Sequence, residues 1–124
     1  MKPADAVVAP TGDAPVQMPY PSLTSNLHHE IELVVAIGKG GKNITRAAAM
    51  EHVWGYTIVN DVTARDLQRR DSQWTRAKGF DTFCPTGAVK PLADIALDGL
   101  AVTTRVNGEV RQSSPADDMV FDIP

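Results

Sequence analysis

His28-His29-Glu30-Ile31-Glu32-Leu33-Val34-Val35-Ala36-Ile37-Gly38 is the stretch on which the fold turns. Ile31, Leu33, Val35 and Ile37 alternate with the two-residue period of a β-strand, and Glu30 and Glu32 fall on the other face with Val34 and Ala36. Carboxylates two residues apart on a strand lie roughly 7 Å apart at Cα, and their side chains can converge on one point. Two such anions in a largely apolar strand repel each other and lose hydration, so a positive group between them is expected. A hard divalent cation with oxygen ligands, Mg2+ or Ca2+, meets that need. A solvated edge strand with both glutamates facing water fits the same residues equally well.

Upstream, residues 1–25 carry Pro3, Pro10, Pro15, Pro19 and Pro21. Proline this dense forbids a helix and favours extended edge segments joined by turns, one of them at Thr11-Gly12-Asp13. The region reads as a meandering lead-in to a sheet, with disorder of its first few residues as the alternative. Downstream, Gly38-Lys39-Gly40-Gly41-Lys42 departs from a phosphate-binding loop. No glycine stands five residues before Gly41, and Asn43 follows Lys42 where a Ser or Thr is needed, so a tight solvated turn is expected.

Thr45 is expected to cap a short alanine-rich helix over 46–53, with Gly55 at its exit and His52 as a surface residue near its C-terminal end. Residues 56–61 read as a second strand that delivers Asp61 at its end. Residues 64–70 read as a helix of one to two turns, which Asp61 or Thr63 could cap. Arg65 and Gln68 are three apart and share a face of that helix, pointing where Asp61 points, whereas Arg69, Arg70 and Arg76 read as solvated. A glycine-bearing loop over 74–83 carries Lys78, Phe80, Asp81 and Thr82. Residues 84–89 continue as a short edge strand with Cys84 as a small buried apolar residue. Residues 100–106 alternate, Asn107-Gly108 signals a type I′ hairpin turn, and 109–112 return. Asp117 or Asp118 could cap a helix starting at Met119.

The chain has 124 residues, enough for one domain with a modest core. Its net charge of −3 argues against nucleic-acid binding through a basic surface. One cysteine excludes an intrachain disulfide framework and fits a reducing compartment. No segment approaches the length of a membrane span, and Met1-Lys2-Pro3-Ala4-Asp5 lacks the apolar run of a signal peptide, so a cytoplasmic protein is the expectation.

Five blocks in order now carry a resemblance. They are Glu30-x-Glu32, Asn60-Asp61-Val62-Thr63-Ala64-Arg65-Asp66-Leu67-Gln68, Lys78-Gly79-Phe80-Asp81-Thr82-Phe83-Cys84-Pro85, Val106-Asn107-Gly108-Glu109-x-Arg111-Gln112, and Asp118-Met119-Val120-Phe121-Asp122-Ile123-Pro124. Together they resemble the fumarylacetoacetate hydrolase family across nearly the whole chain. The resemblance implies an α+β fold, a mixed β-roll of that family's C-terminal domain type, present here as one partial domain over 1–124 and incomplete at both ends. It implies a metal site of Glu30, Glu32 and Asp61 for Mg2+ (or Ca2+ or Mn2+), Lys78 as the catalytic lysine, and Arg65, Gln68 and Thr82 as residues lining the substrate. It also implies a homodimer.

Three carboxylates form an oxygen-only cage, suited to Mg2+ or Ca2+ and poor for zinc. His28 and His29 could convert it to a zinc site, but His29 alternates onto the face opposite Glu30. The activity implied is metal-dependent hydrolysis of a C–C bond in an acylpyruvate or 1,3-diketone acid such as fumarylpyruvate. A keto-acid substrate chelates through two oxygens, which stabilises the enolate formed as the bond breaks, and Lys78 adds a second positive charge. The alternatives are a decarboxylase or tautomerase using the same enolate, and an inactive fragment that binds metal without chemistry. The family's water-activating histidine and glutamate have no counterpart in these residues. Weak hydrolase turnover is therefore expected, together with a loosely packed or associating end around Phe121 and Ile123. Glu32→Ala is expected to abolish stabilisation by Mg2+; a thermal shift on adding Mg2+ that matches the parent's would count against the site.

Overall fold

The computed structural model describes residues 1–20 and 22–124. Pro21, one of the prolines expected to keep the lead-in extended, lies outside the described residues. In chain order the strands are β1 (Val7–Val8), β2 (Leu27–His28), β3 (Ile31–Ile37), β4 (Val53–Asn60), β5 (Thr63–Ala64), β6 (Cys84–Pro85), β7 (Lys90–Pro91), β8 (Ala101–Val106) and β9 (Glu109–Pro115). Two short helices, α1 (Arg65–Arg70) and α2 (Thr75–Lys78), lie between β5 and β6. Strands and helices are thus mixed, as the α+β reading expects. No helix among the described residues is long and apolar enough to cross a membrane.

The chain divides into two compact units. The first comprises Met1–Glu32 and Val59–Gly87. Its core is Val62, Ala64, Leu67, Ala77 and Phe83, with Met18, Leu27 and Phe80 packed against it. Phe83 is fully buried and meets Phe80 edge to face, with ring centroids 5.2 Å apart. The proline-rich lead-in is part of this unit. β1 pairs in parallel with β6, Val7 opposite Cys84, and Ala6 is fully buried. The expected turn forms at Thr11, whose carbonyl accepts from Ala14 N at 3.2 Å, with Gly12 at φ 59°. β2 pairs antiparallel with β5, His28 opposite Thr63, and Cys84 is buried as expected.

The second unit comprises Leu33–Ile58 and Ala88–Pro124. It holds most of a three-stranded sheet in the order β3-β4-β7 and the hairpin β8-β9. At the hairpin tip Asn107 and Gly108 take φ 51° and 86°, the two positive values a type I′ turn needs, and Val106 faces Glu109. The turn after β3 is closed by His52, whose carbonyl accepts from Gly38 N (2.9 Å) and Lys39 N (3.3 Å) and whose Nδ1 lies 2.7 Å from Lys39 O.

Local expectations differ from the structure in several places: the segment 74–83, expected as a loop, contains α2, and of the edge strand expected over 84–89 only Cys84–Pro85 is a named strand. Residues Arg46–His52 form a 3-10 helix in which no residue is buried, and Thr45 makes no side-chain cap. Seven residues, none of them buried, are too few for alanine propensity alone to sustain an α-helix, and the segment runs directly into a strand. That strand begins at Val53, so Gly55 is a strand residue and not a helix exit. The return strand β9 extends to Pro115, and the residues capped at 117–118 form a 3-10 turn, Ala116–Asp118, with no helix from Met119. β3 is less cleanly two-faced than its pattern: Leu33 to Ala36 are all half-buried.

Gly55 and Gly108 give contrasting tests. A Cβ on Gly55 would stand 2.0 Å from Lys90 O, a close backbone approach between β4 and β7, whereas a Cβ on Gly108 would meet nothing within 4 Å. Gly108→Ala therefore costs only the left-handed conformation, about 1–2 kcal/mol. Gly55→Ala must push two paired strands apart and is expected to cost more, on the order of 3 kcal/mol. Urea unfolding of both variants checks the order; a milder loss at Gly55 would contradict the strand pairing.

Candidate metal centre

The strand period carries Glu30 and Glu32 toward one point, and two bonds fix Asp61 beside them. Asp61 N donates to Glu30 O at 2.7 Å, and Glu30 N donates to the Asn60 side-chain oxygen at 3.0 Å. The end of β4 is thereby tied to the start of β3 at the two acidic residues. Asp61 does not cap α1. Thr63 donates its hydroxyl to Asp61 O at 3.0 Å, and the residue before the helix, Ala64, makes no side-chain cap. The acid in the first turn of α1, Asp66, accepts instead from the Thr24 hydroxyl and from Ser25 N (3.3 Å). Asp61 is left facing the two glutamates.

Glu30, Glu32 and Asp61 each offer one carboxylate oxygen, and these lie within 4.8 Å of one another. Oxygens so spaced are within reach of one hard cation, whose bonds run from roughly 2.0 to 2.6 Å. Asp61 Oδ1 adds a second indication. It is buried and has no aligned hydrogen-bond donor among the described residues, although the Lys2 ammonium stands 2.6 Å away as an ion pair. Neither His28 nor His29 joins the cluster, so among the described residues the donor set is oxygen only. That chemistry fits Mg2+, Ca2+ or Mn2+ and not a zinc site.

Cations surround these acids. Lys78, buried at the end of α2, donates to Glu30 Oε2 at 2.7 Å and to Asp61 Oδ2 at 2.8 Å. Arg65 pairs with Glu30 Oε1 and donates to Gln68 Oε1 at 2.7 Å and to His28 Nδ1 at 3.3 Å. Gln68 therefore reaches the cluster through Arg65. Thr82 makes no bond to these acids among the described residues; its hydroxyl donates to Gln17 O at 2.6 Å. Lys2 carried no signal in the sequence reading, yet its ammonium contacts Asp61, Val62 O (2.6 Å) and Lys78 O (2.7 Å). Asn60 opens one of the blocks that carry the resemblance, but no role was read for it. Both act through partners 30 to 76 residues away, which no local period encodes.

The electrostatics divide the three acids. Burial works to raise the Asp61 carboxyl, but the Lys2 and Lys78 ammoniums override it and hold it below the usual range. Burial opposes Glu30 in the same way, and Lys78 and then Arg65 hold it low. Glu32 has no ion pair among the described residues; desolvation, and then the Asp61 and Glu30 charges, raise its carboxyl. Lys78 is also opposed by burial, but its two carboxylate partners hold it above the ordinary lysine range.

The fumarylacetoacetate hydrolase C-terminal family model matches residues 1–124. The chain belongs to the fumarylacetoacetate hydrolase family. Among similar members, oxaloacetate tautomerase YisK of Bacillus subtilis is 48% identical over 119 residues, covering 94% of this chain and 40% of that protein. Mouse mitochondrial oxaloacetate tautomerase FAHD1 is 43% identical over 129 residues, covering 100% of this chain and 57% of that protein. The crystal structure of fumarylpyruvate hydrolase from Pseudomonas aeruginosa in complex with Mn2+ and pyruvate matches with a TM-score of 0.87 and 42% identity, over 98% of this chain and 55% of that one. The chain spans about half the length of the curated relatives it matches.

In the absence of metal, the paired and unpaired acids should respond oppositely to pH. Asp61 and Glu30, held low in the folded state, add stability above the unfolded carboxylate range near pH ~4 and lose it as pH falls through their lower folded values. Glu32, held high, costs stability as pH rises through its folded value. In chelator at pH 7, Glu32→Gln is expected to be more stable than the parent by up to about 1 kcal/mol, and Asp61→Asn less stable. The Glu32→Gln gain should close as the pH approaches ~4. Thermal melts across pH check this; a Glu32→Gln protein less stable than the parent at pH 7 would contradict it.

Proposed function

We propose that this chain carries the cation- and substrate-holding centre of an enzyme that generates or stabilises the enolate of a 2-oxo acid. The observation that carries the reading is the meeting of three carboxylate oxygens within 4.8 Å, with the buried Lys78 ammonium bonded to two of the same acids. Glu30, Glu32 and Asp61 would hold a divalent cation, Mg2+ or Mn2+. When bound, that cation supplies Lewis-acid neutralisation of charge developing on the substrate oxygens. Lys78, bonded to Glu30 Oε2 and Asp61 Oδ2, would bring a second positive charge to the same place. Arg65, steadied by Gln68, offers a guanidinium suited to a substrate carboxylate once Glu30 turns to the cation.

The first reading within this chemistry is hydrolytic cleavage of an acylpyruvate, supported by the likeness to a fumarylpyruvate hydrolase. The second is tautomerisation of oxaloacetate, supported by the 48% identity to a tautomerase. Both start from a 2-oxo acid and share the residues above. Assays of fumarylpyruvate cleavage and of oxaloacetate enol–keto conversion, each with Mn2+ and with EDTA, separate them. Turnover is expected with one substrate and only with metal. Lys78→Met is expected to lower kcat/KM by about 100-fold or more in a protein that remains folded. A chain that binds Mn2+ and turns over neither substrate would be a metal-binding module and not an enzyme.

A further inference from the structure

Lys2 differs in kind from the other cations at the cluster. Both Lys78 ion pairs are with Glu30 and Asp61, so an entering dication competes with it directly. Arg65 is exposed to the same competition at Glu30. Lys2 is held by two groups that are not acids, Val62 O at 2.6 Å and Lys78 O at 2.7 Å. Its side chain is only 11% exposed, and its ammonium lies 5.6 Å from the Phe83 ring centroid. Bonded to these two carbonyls, Lys2 would stay beside Asp61 when a cation is drawn there; its ammonium stands 2.6 Å from Oδ1.

The charges make this consequential. Glu30, Glu32 and Asp61 are balanced by Lys2, Lys78 and Arg65, so the cluster is formally neutral before any metal arrives. A dication then leaves an excess of positive charge in a half-buried site, where charges interact more strongly than in water. An anionic chelating substrate removes that excess. We propose that Lys2 is a built-in counter-charge that couples the two ligands: it weakens retention of a bare dication and favours the dication together with an anionic 2-oxo acid. This rests on the reading of Glu30, Glu32 and Asp61 as cation ligands. Lys2 acts through Asp61 and is a positioning residue, not a catalytic one.

Coupling of this kind is reciprocal, so it is measurable from the metal side alone. Mn2+ affinity, followed by the electron paramagnetic resonance of free Mn2+, is measured with and without pyruvate. In the parent, pyruvate is expected to tighten Mn2+ by about 5-fold or more. Lys2→Gln keeps a donor for the two carbonyls and removes the charge. It is expected to bind Mn2+ alone about tenfold more tightly than the parent, with most of the pyruvate effect lost. Lys2→Arg should keep the parent's coupling. A residue that merely braces the site would give the opposite sign, weaker Mn2+ binding in Lys2→Gln. That result, or unchanged affinity, overturns the proposal. So does a parent whose Mn2+ affinity ignores pyruvate, an outcome that needs no variant to fold. A parent that takes up no Mn2+ in either condition overturns the metal reading itself.

Discussion

Three carboxylate oxygens within 4.8 Å of one another repel, and the repulsion grows as water is withdrawn from them. Opposite charge has to stand among them for the first unit to hold together. The Lys78 ammonium does most of this, because it bonds to Glu30 and Asp61 at once and is itself buried. Removing one member of such a group costs more than the pair contributed, since the partner is left charged and dehydrated. Glu32 stands apart as the acid of the three that makes no ion pair among the described residues. Its charge therefore costs the fold stability that the paired acids recover from their cations.

Much of the first unit can be read as support for that arrangement. The Asp61 N to Glu30 O bond and the Asn60 side chain fix the acids on the main chain. Thr63 and Asp66 find other partners, which frees Asp61 from helix capping. Beneath them Val62, Ala64, Leu67, Ala77 and Phe83 form the apolar core from which α1 presents Arg65 and α2 presents Lys78. A site carried on short elements over a small core depends on such cross-links more than on the intrinsic stability of its helices.

What was legible in the sequence was local. Asn107-Gly108 specifies its own turn because positive φ at both positions is a property of the two residues themselves. Glu30 and Glu32 were legible because a strand repeats every two residues. The family followed from five motifs in order, and with it Asp61, Lys78, Arg65 and Gln68, which the structure brings together directly or through one partner. Lys2 was illegible because its partners are 60 and 76 residues away and a lysine before a proline has no distinctive pattern. The alanine-rich segment misled because propensity favours an α-helix, while length and lack of burial gave a 3-10 helix and moved the start of β4 to Val53. Thr82 matches a family motif, but its hydroxyl is committed to Gln17 O.

Thr82 also holds φ 65°, a value that β-branched residues avoid. The backbone accepts it because the hydroxyl bond to Gln17 on one side and the Phe83 N to Phe80 O bond on the other leave little room to relax. Three residues earlier, Gly79 is so close to Thr75 O that a Cβ there would stand 2.5 Å from it. The segment between Lys78 and Phe83 is thus locked at both ends before any ligand arrives. Its conformational entropy is lost on folding, so a group that met Lys78 would have little ordering left to impose.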